Sequence, residues 1–144
     1  MSTVGAKIVI RNLQKKIPIH PGLIKRLISS IILSERPEWS GEITVCFVSD
    51  QKIKIFNKKF LKENTATDVI SFRMPKEADN KYIYADILVS TDMALSNTKV
   101  FKTSLSYELN LYVVHGILHL LGYNDRTLKQ KQLMRLKELA YAHP

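Results

Sequence analysis

Hydrophobic and polar positions along the chain switch between two periods. Lys7 to Asn12 alternates residue by residue and is rich in Ile and Val, which predicts a first strand, followed by a loop through Pro18 to Pro21. From Pro21 the period lengthens: Leu23, Ile24, Leu27, Ile28, Ile31 and Ile32 recur at helical spacing, so a helix should start at Pro21 and end before Pro37. Glu42 to Ser49 alternates again. Ile43, Val45 and Phe47 share one face and Cys46 and Val48 the other, the pattern of a strand covered on both sides. Asp50 is placed to cap a helix whose Ile53, Phe56 and Phe60 face the core, while Lys52, Lys54, Lys58, Lys59 and Lys62 cover much of the remainder.

Asn64 to Phe72 reads as a polar turn leading into a short strand, and Arg73 to Asn80 as a charged loop. Lys81 to Ser90 is a further strand, expected to form an antiparallel hairpin with Val69 to Phe72. Ser90 or Thr91 caps a short helix toward Val100, and Ser104 or Ser106 opens a long one. Thr127 with Gln130 matches a capping box, opening a last helix in which Leu133, Met134, Leu136 and Ala140 should face the core. The order strand, helix, strand, helix, two strands, then helices predicts an α+β class, with one mixed sheet of about four strands and helices packed against it. No repeat, linker or low-complexity segment interrupts residues 1–144, so one domain is expected.

At 144 residues, 45% of them hydrophobic, the chain is long enough to bury its own core. Charge narrows the partners. Twenty-two Lys and Arg against thirteen Asp and Glu leave a formal +9, which favours phosphate-rich partners such as nucleic acid or an anionic surface. The single cysteine, Cys46, can form no intramolecular disulfide; it reads as a small core residue in a reducing compartment. The N-terminal MSTVGAKIVI lacks the charged-then-apolar pattern of a signal peptide. The most apolar stretch, Leu105 to Leu121, is broken by Glu108, Asn110 and two histidines, so a cytoplasmic protein with no membrane association is expected.

That stretch also carries the candidate chemistry. In VVHGILHLLGYND, His115 and His119 stand four residues apart, one helical turn, so their rings can converge on one point. Gly122 suits the left-handed turn that ends a helix, and such a turn can bring Asp125 back as a third ligand. Three protein ligands leave one position of a tetrahedral zinc open, the layout of a catalytic site. Two histidines simply packed on a buried helix face remain the plain structural alternative. The spacing resembles that of long-motif zinc peptidases, but those need Glu directly after the first His, where this chain has Gly116. Glu108, seven residues before His115, is about 10 Å away along the helix and too far to share an ion, so it reads as a supporting or ion-pairing residue. His20 reads as a surface or capping residue, Asp68 as a turn residue in preference to a catalytic one, and His143 as part of a disordered terminus.

HGILHLLGYND resembles the signature HGxLHLxGYDH of the YbeY family of endoribonucleases, matching at His115, Gly116, Leu118, His119, Leu120, Gly122 and Tyr123. NTATDVISF is similar to that family's PTDVLSF segment, and ADILVS to its GDIxIS. The resemblance runs from about Lys52 to Gly122 and implies a zincin-like metal helix. By the same resemblance, one zinc ion per chain would sit on His115, His119 and, in place of the family's third histidine, Asp125, which would carry catalysis. The basic helix surface with Lys58, Lys59 and Lys62 reads either as an ordinary solvated face or as a ridge binding RNA phosphates. The substrate implied is single-stranded RNA, an rRNA precursor, in rRNA end maturation and ribosome quality control, with the ribosome or its small subunit as partner. Two departures stand out. Asp125 replaces the family's third histidine, which makes a more negative ligand set and a weaker Lewis acid. Leu61 stands where the family has an arginine important for activity. Both keep a non-catalytic RNA- or ribosome-binding module in view, alongside a zinc hydrolase of another class such as a peptidase.

Overall fold

The computed structural model describes residues 5–61, 67–74 and 81–142, without the side chains of residues 60 and 61. Four strands form one sheet in the order β1-β2-β4-β3. β1 (Gly5–Asn12), β2 (Ser40–Val48) and β4 (Tyr82–Ser90) run parallel, and β3 (Val69–Arg73) is antiparallel to β4, with Val69 opposite Val89 and Arg73 opposite Ala85. The class is α+β, with the hairpin where the alternation placed it.

Among the described residues there are five α-helices: α1 (Pro21–Glu35), α2 (Asp50–Phe56), α3 (Thr91–Phe101), α4 (Leu105–Leu120) and α5 (Leu128–Tyr141). A π-helical turn, Asn57–Leu61, extends α2. Ser49, one residue ahead of the expected Asp50, is the cap of α2; its hydroxyl accepts the Lys52 N–H at 3.3 Å. Ser90 caps α3, Ser104 caps α4, and Thr127 with Gln130 closes a reciprocal capping box on α5. Among the described residues no helix is long and apolar enough to cross a membrane.

One face of the sheet carries Ile8, Ile43, Val45, Phe47, Ile83, Ile87 and Val89, packed against α1 and α4 in a single cluster. At about 1.5–3 kcal/mol for each large apolar side chain removed from water, this cluster is the main source of the fold's stability. A smaller cluster on the opposite face joins Val48, Ile53, Ile70 and Leu88 under α2. Several residues expected in the core lie outside it. Leu23, Leu133 and Leu136 are exposed, as is Ala140, and Cys46 is only half-buried. On α5 the inward stripe is Met134, Glu138 and Ala142, at i, i+4 and i+8, which rotates the helix away from the Leu-lined face. Arg73 ends β3 rather than opening a loop, and the remainder of the expected charged loop falls outside the described residues, as do Lys62 and His143.

α4 is the element that positions the site. Val113, Val114, Ile117 and Leu118 are fully buried, and Gly116 lets the helix approach the hairpin, where the Ser71 hydroxyl donates to the Gly116 carbonyl at 3.0 Å. With its axis fixed by burial and its turns by the 3.6-residue period, the one half-exposed face of α4 looks toward α5 and carries both motif histidines.

Candidate metal centre

His115 and His119 meet at the C-terminal end of α4 with their Nε2 atoms 3.0 Å apart. The chain then turns back. Leu121 closes the helix, Gly122 takes φ +102 as the left-handed residue, and the Tyr123 N–H donates to the Leu118 carbonyl at 3.0 Å. That reversal brings Asp125 Oδ2 to 3.6 Å from each histidine Nε2. Ligands bound about 2.0–2.2 Å from a tetrahedral ion lie about 3.3–3.6 Å from one another, so a triangle with edges of 3.0, 3.6 and 3.6 Å has the size of three corners of such a site. All three candidate ligands are present and half-buried, which leaves one side open to solvent.

Behind the triangle stands a carboxylate that the periodicity did not disclose. Glu138 reaches across from α5 and its Oε2 lies 2.6 Å from His115 Nδ1, while its other oxygen is 3.5 Å from Arg135 Nη1. A carboxylate on the far nitrogen of a ligating imidazole fixes which nitrogen carries the proton and how the ring is turned. Here it keeps the proton on Nδ1 and turns Nε2 toward the triangle. The returning segment is held as well. Tyr123 donates to Glu35 Oε1 at 2.6 Å, and Tyr141 and Lys137 reach Glu35 Oε2 at 2.6 and 2.9 Å, tying the turn to the ends of α1 and α5. At the end of β3, Arg73 donates to the Leu120 carbonyl at 3.3 Å and lies over Trp39, 5.2 Å from its centroid.

The two rings are driven apart electrostatically. Burial works against charging His115, but the hydrogen bond and charge of Glu138, with Asp68 and Asp125, outweigh it and raise its pKa. His119 is lowered by burial first and then by the neighbouring His115, against weaker support from Asp125. Burial would raise Glu35, yet its three donors bring it from the ordinary 4.5 down to about 2. Asp68 is a turn residue as expected: it accepts the Val69 N–H at 2.8 Å, and its carbonyl accepts the Ser90 N–H at 2.8 Å.

Glu108 has a different place from the one expected. It is 2% exposed and accepts the Thr103 hydroxyl at 2.7 Å, with the Tyr112 hydroxyl at 3.5 Å, so it serves the start of α4 rather than the triangle or an ion pair. Lys58 and Lys59 are exposed on the π turn. Gly116 faces the hairpin, where an added Cβ would lie 2.9 Å from Ile87 Cγ2, so a carboxylate at this position would enter the sheet interface.

Fold and site together define a small α+β protein whose central helix presents a His-His-Asp triangle able to hold a metal ion. The sequence model of the family described as endoribonuclease YbeY matches residues 9–143. Endoribonuclease YbeY of Amoebophilus asiaticus is 34% identical over 132 residues, covering 92% of this chain and 87% of that protein. The Flavobacterium psychrophilum protein of the same description is 37% identical over 111 residues, covering 77% of this chain and 76% of its own length. Among solved structures, the solution structure of Thermotoga maritima TM1509 superposes with a TM-score of 0.65 at 27% identity, covering 94% of this chain and 86% of the other. The chain belongs to the endoribonuclease YbeY family.

Proposed function

We propose that this chain is a zinc-dependent, single-strand-specific endoribonuclease. It holds one ion per chain on His115, His119 and Asp125, acts in the cytoplasm on rRNA precursors during end maturation and ribosome quality control, and works with the ribosome or its small subunit. The observation that carries the metal assignment is the triangle of ligand atoms with tetrahedral-edge spacing and one open side. Family membership and the +9 charge support RNA as the substrate.

An ion bound there supplies Lewis acidity toward a phosphoryl oxygen and acidifies water. The protein's own groups do the remainder. His115 offers Nε2 because Glu138 holds the proton on Nδ1, which makes Glu138 a positioning residue. Asp125 is delivered by the left-handed Gly122 and held by the anchoring of Tyr123 on Glu35. Lys58 and Lys59 act as point charges on the RNA backbone, without the bidentate fork that arginine offers phosphate. The same role is assigned to Lys62, which lies outside the described residues. A peptidase reading loses support because the position after His115 faces the sheet and has no room for a base.

Asp125 is the residue on which the proposal departs from the family signature, so it supplies the test. With zinc-loaded protein and a short single-stranded RNA, Asp125→Ala is expected to lose both tightly held zinc and cutting, and Asp125→His to keep both and cut faster. Unchanged zinc content and rate in Asp125→Ala would remove Asp125 from the ligand set. RNA that binds to the parent and both variants but is never cut would favour the non-catalytic binding module.

A further inference from the structure

The three parallel strands have unequal cover. Parallel strands are ordinarily buried on both faces, and here one face is sealed by α1 and α4, whereas the other, among the described residues, is covered by α2 and the π-helical turn that extends it. Among the described residues the rest of that second face is open. Tyr82 and Tyr84, 50% and 53% exposed, stand two residues apart on β4 and so on the same side of the sheet. Met74 lies beside them, its N–H bonded to the Tyr84 carbonyl at 2.8 Å, with its own side chain 63% exposed. Between this face and α2 runs a groove of about 360 Å³, lined by Arg11, Thr44, Cys46, Lys52, Phe56 and Asp86. Past Leu13 a second groove continues to Lys15.

The chemistry of this face matches a single strand of RNA. Lys7, Arg11 and Lys52 are exposed cations on it, and neither Arg11 nor Lys52 is taken up by an ion pair among the described residues. Exposed tyrosines present flat faces on which splayed bases stack whatever their identity. Thr44 and Asp86, partners in the β2–β4 register, point the same way and offer hydrogen bonds to base edges. A protein partner would cover such tyrosines equally well; the cations Lys7, Arg11 and Lys52 outnumber the carboxylates Glu42 and Asp86 on this face, which favours a polyanion.

We propose that the open sheet face is a second RNA-binding surface, separate from the histidine triangle, which stacks bases on Tyr82 and Tyr84 and holds phosphates on Arg11 and Lys52. It rests on the RNA-cleaving reading above and extends it. The triangle lies on the α4 side of the sheet, and the route between the two passes round the β3 edge, from Tyr84 through Met74 and Arg73 to the Leu120 carbonyl beside His119. A long RNA therefore bridges both surfaces, whereas a short one is cut without touching the tyrosines.

The test is fluorescence anisotropy of a labelled long single-stranded RNA in chelator, which prevents cutting, across a salt series. Tyr84→Ala should weaken binding by about 5- to 150-fold, the effect of losing one base stack. Arg11→Ala and Lys52→Ala should each weaken it and take about 0.7 from the slope of log affinity against log salt, the amount for one phosphate contact on a single strand. Exposed substitutions of this kind ordinarily leave the fold intact, which circular dichroism checks. With zinc restored, kcat on a short RNA should be unchanged and KM for the long one raised. Parental affinity and slope in all three variants, with RNA still bound, would overturn this surface alone and leave the face to a protein partner. An equal loss of kcat on short RNA would merge it with the cutting site. A parent that binds no RNA would overturn both this proposal and the reading beneath it.

Discussion

An added Cβ at position 116 would lie 2.9 Å from Ile87 Cγ2, 3.1 Å from Ser71 Oγ and 3.2 Å from Val69 Cγ2, so the motif's glycine is a spacer between α4 and the hairpin. Gly116→Val is expected to destabilise by about 1–3 kcal/mol through overpacking, read as a lower urea midpoint with an unchanged slope. Glu138 acts from the other side of the helix. Its replacement by Gln keeps the volume but leaves His115 Nδ1 without a charged partner, and zinc affinity should fall by about 10- to 100-fold in a competition titration with a chromophoric chelator. Equal affinity in parent and Glu138→Gln would mean that the carboxylate merely packs. The convergence of His115, His119 and Asp125 was legible in the sequence because i, i+4 spacing and a following glycine constrain geometry locally. Glu138 was not, because it stands 23 residues from its partner and interrupts the stripe that buries α5. The exposed Leu133 and Leu136 imitate a core face there, and only the docking of α5 against α4 decides between the two stripes.

Among the elements, β2, α1 and the β3–β4 hairpin follow directly from their periods, and four of the five helix starts carry a side-chain cap. Element boundaries near α2 were harder. Ser49 and Asp50 are both capping residue types, and the choice between them rests on which side chain reaches the Lys52 N–H. The joint between α1, α5 and the Gly122 turn depends on a single carboxylate, Glu35, whose folded pKa of about 2 lies below its ordinary 4.5. The unfolded chain therefore binds this proton more readily than the folded one. The stability Glu35 contributes is fully present above about pH 4.5 and fades as the pH falls toward 2. Thermal unfolding followed across that window should show a drop that Glu35→Gln removes. A variant whose drop matches the parent's would assign the acid sensitivity to other carboxylates.

The whole molecule carries a metal-type triangle on one side of the sheet and a tyrosine-bearing face with Lys7, Arg11 and Lys52 on the other. An ion that binds only the folded chain should stabilise it by mass action, by about 2.7 kcal/mol at a hundredfold excess over its dissociation constant. Zinc should therefore raise the melting temperature of the parent and leave that of His119→Ala unmoved. Whether the triangle cuts RNA is decided by incubating zinc-loaded protein with a short single-stranded RNA beside chelator-treated protein and His119→Ala. Cutting by the loaded parent that disappears in both controls is the result predicted here. RNA that stays intact in all three, or is cut equally in all three, would contradict it.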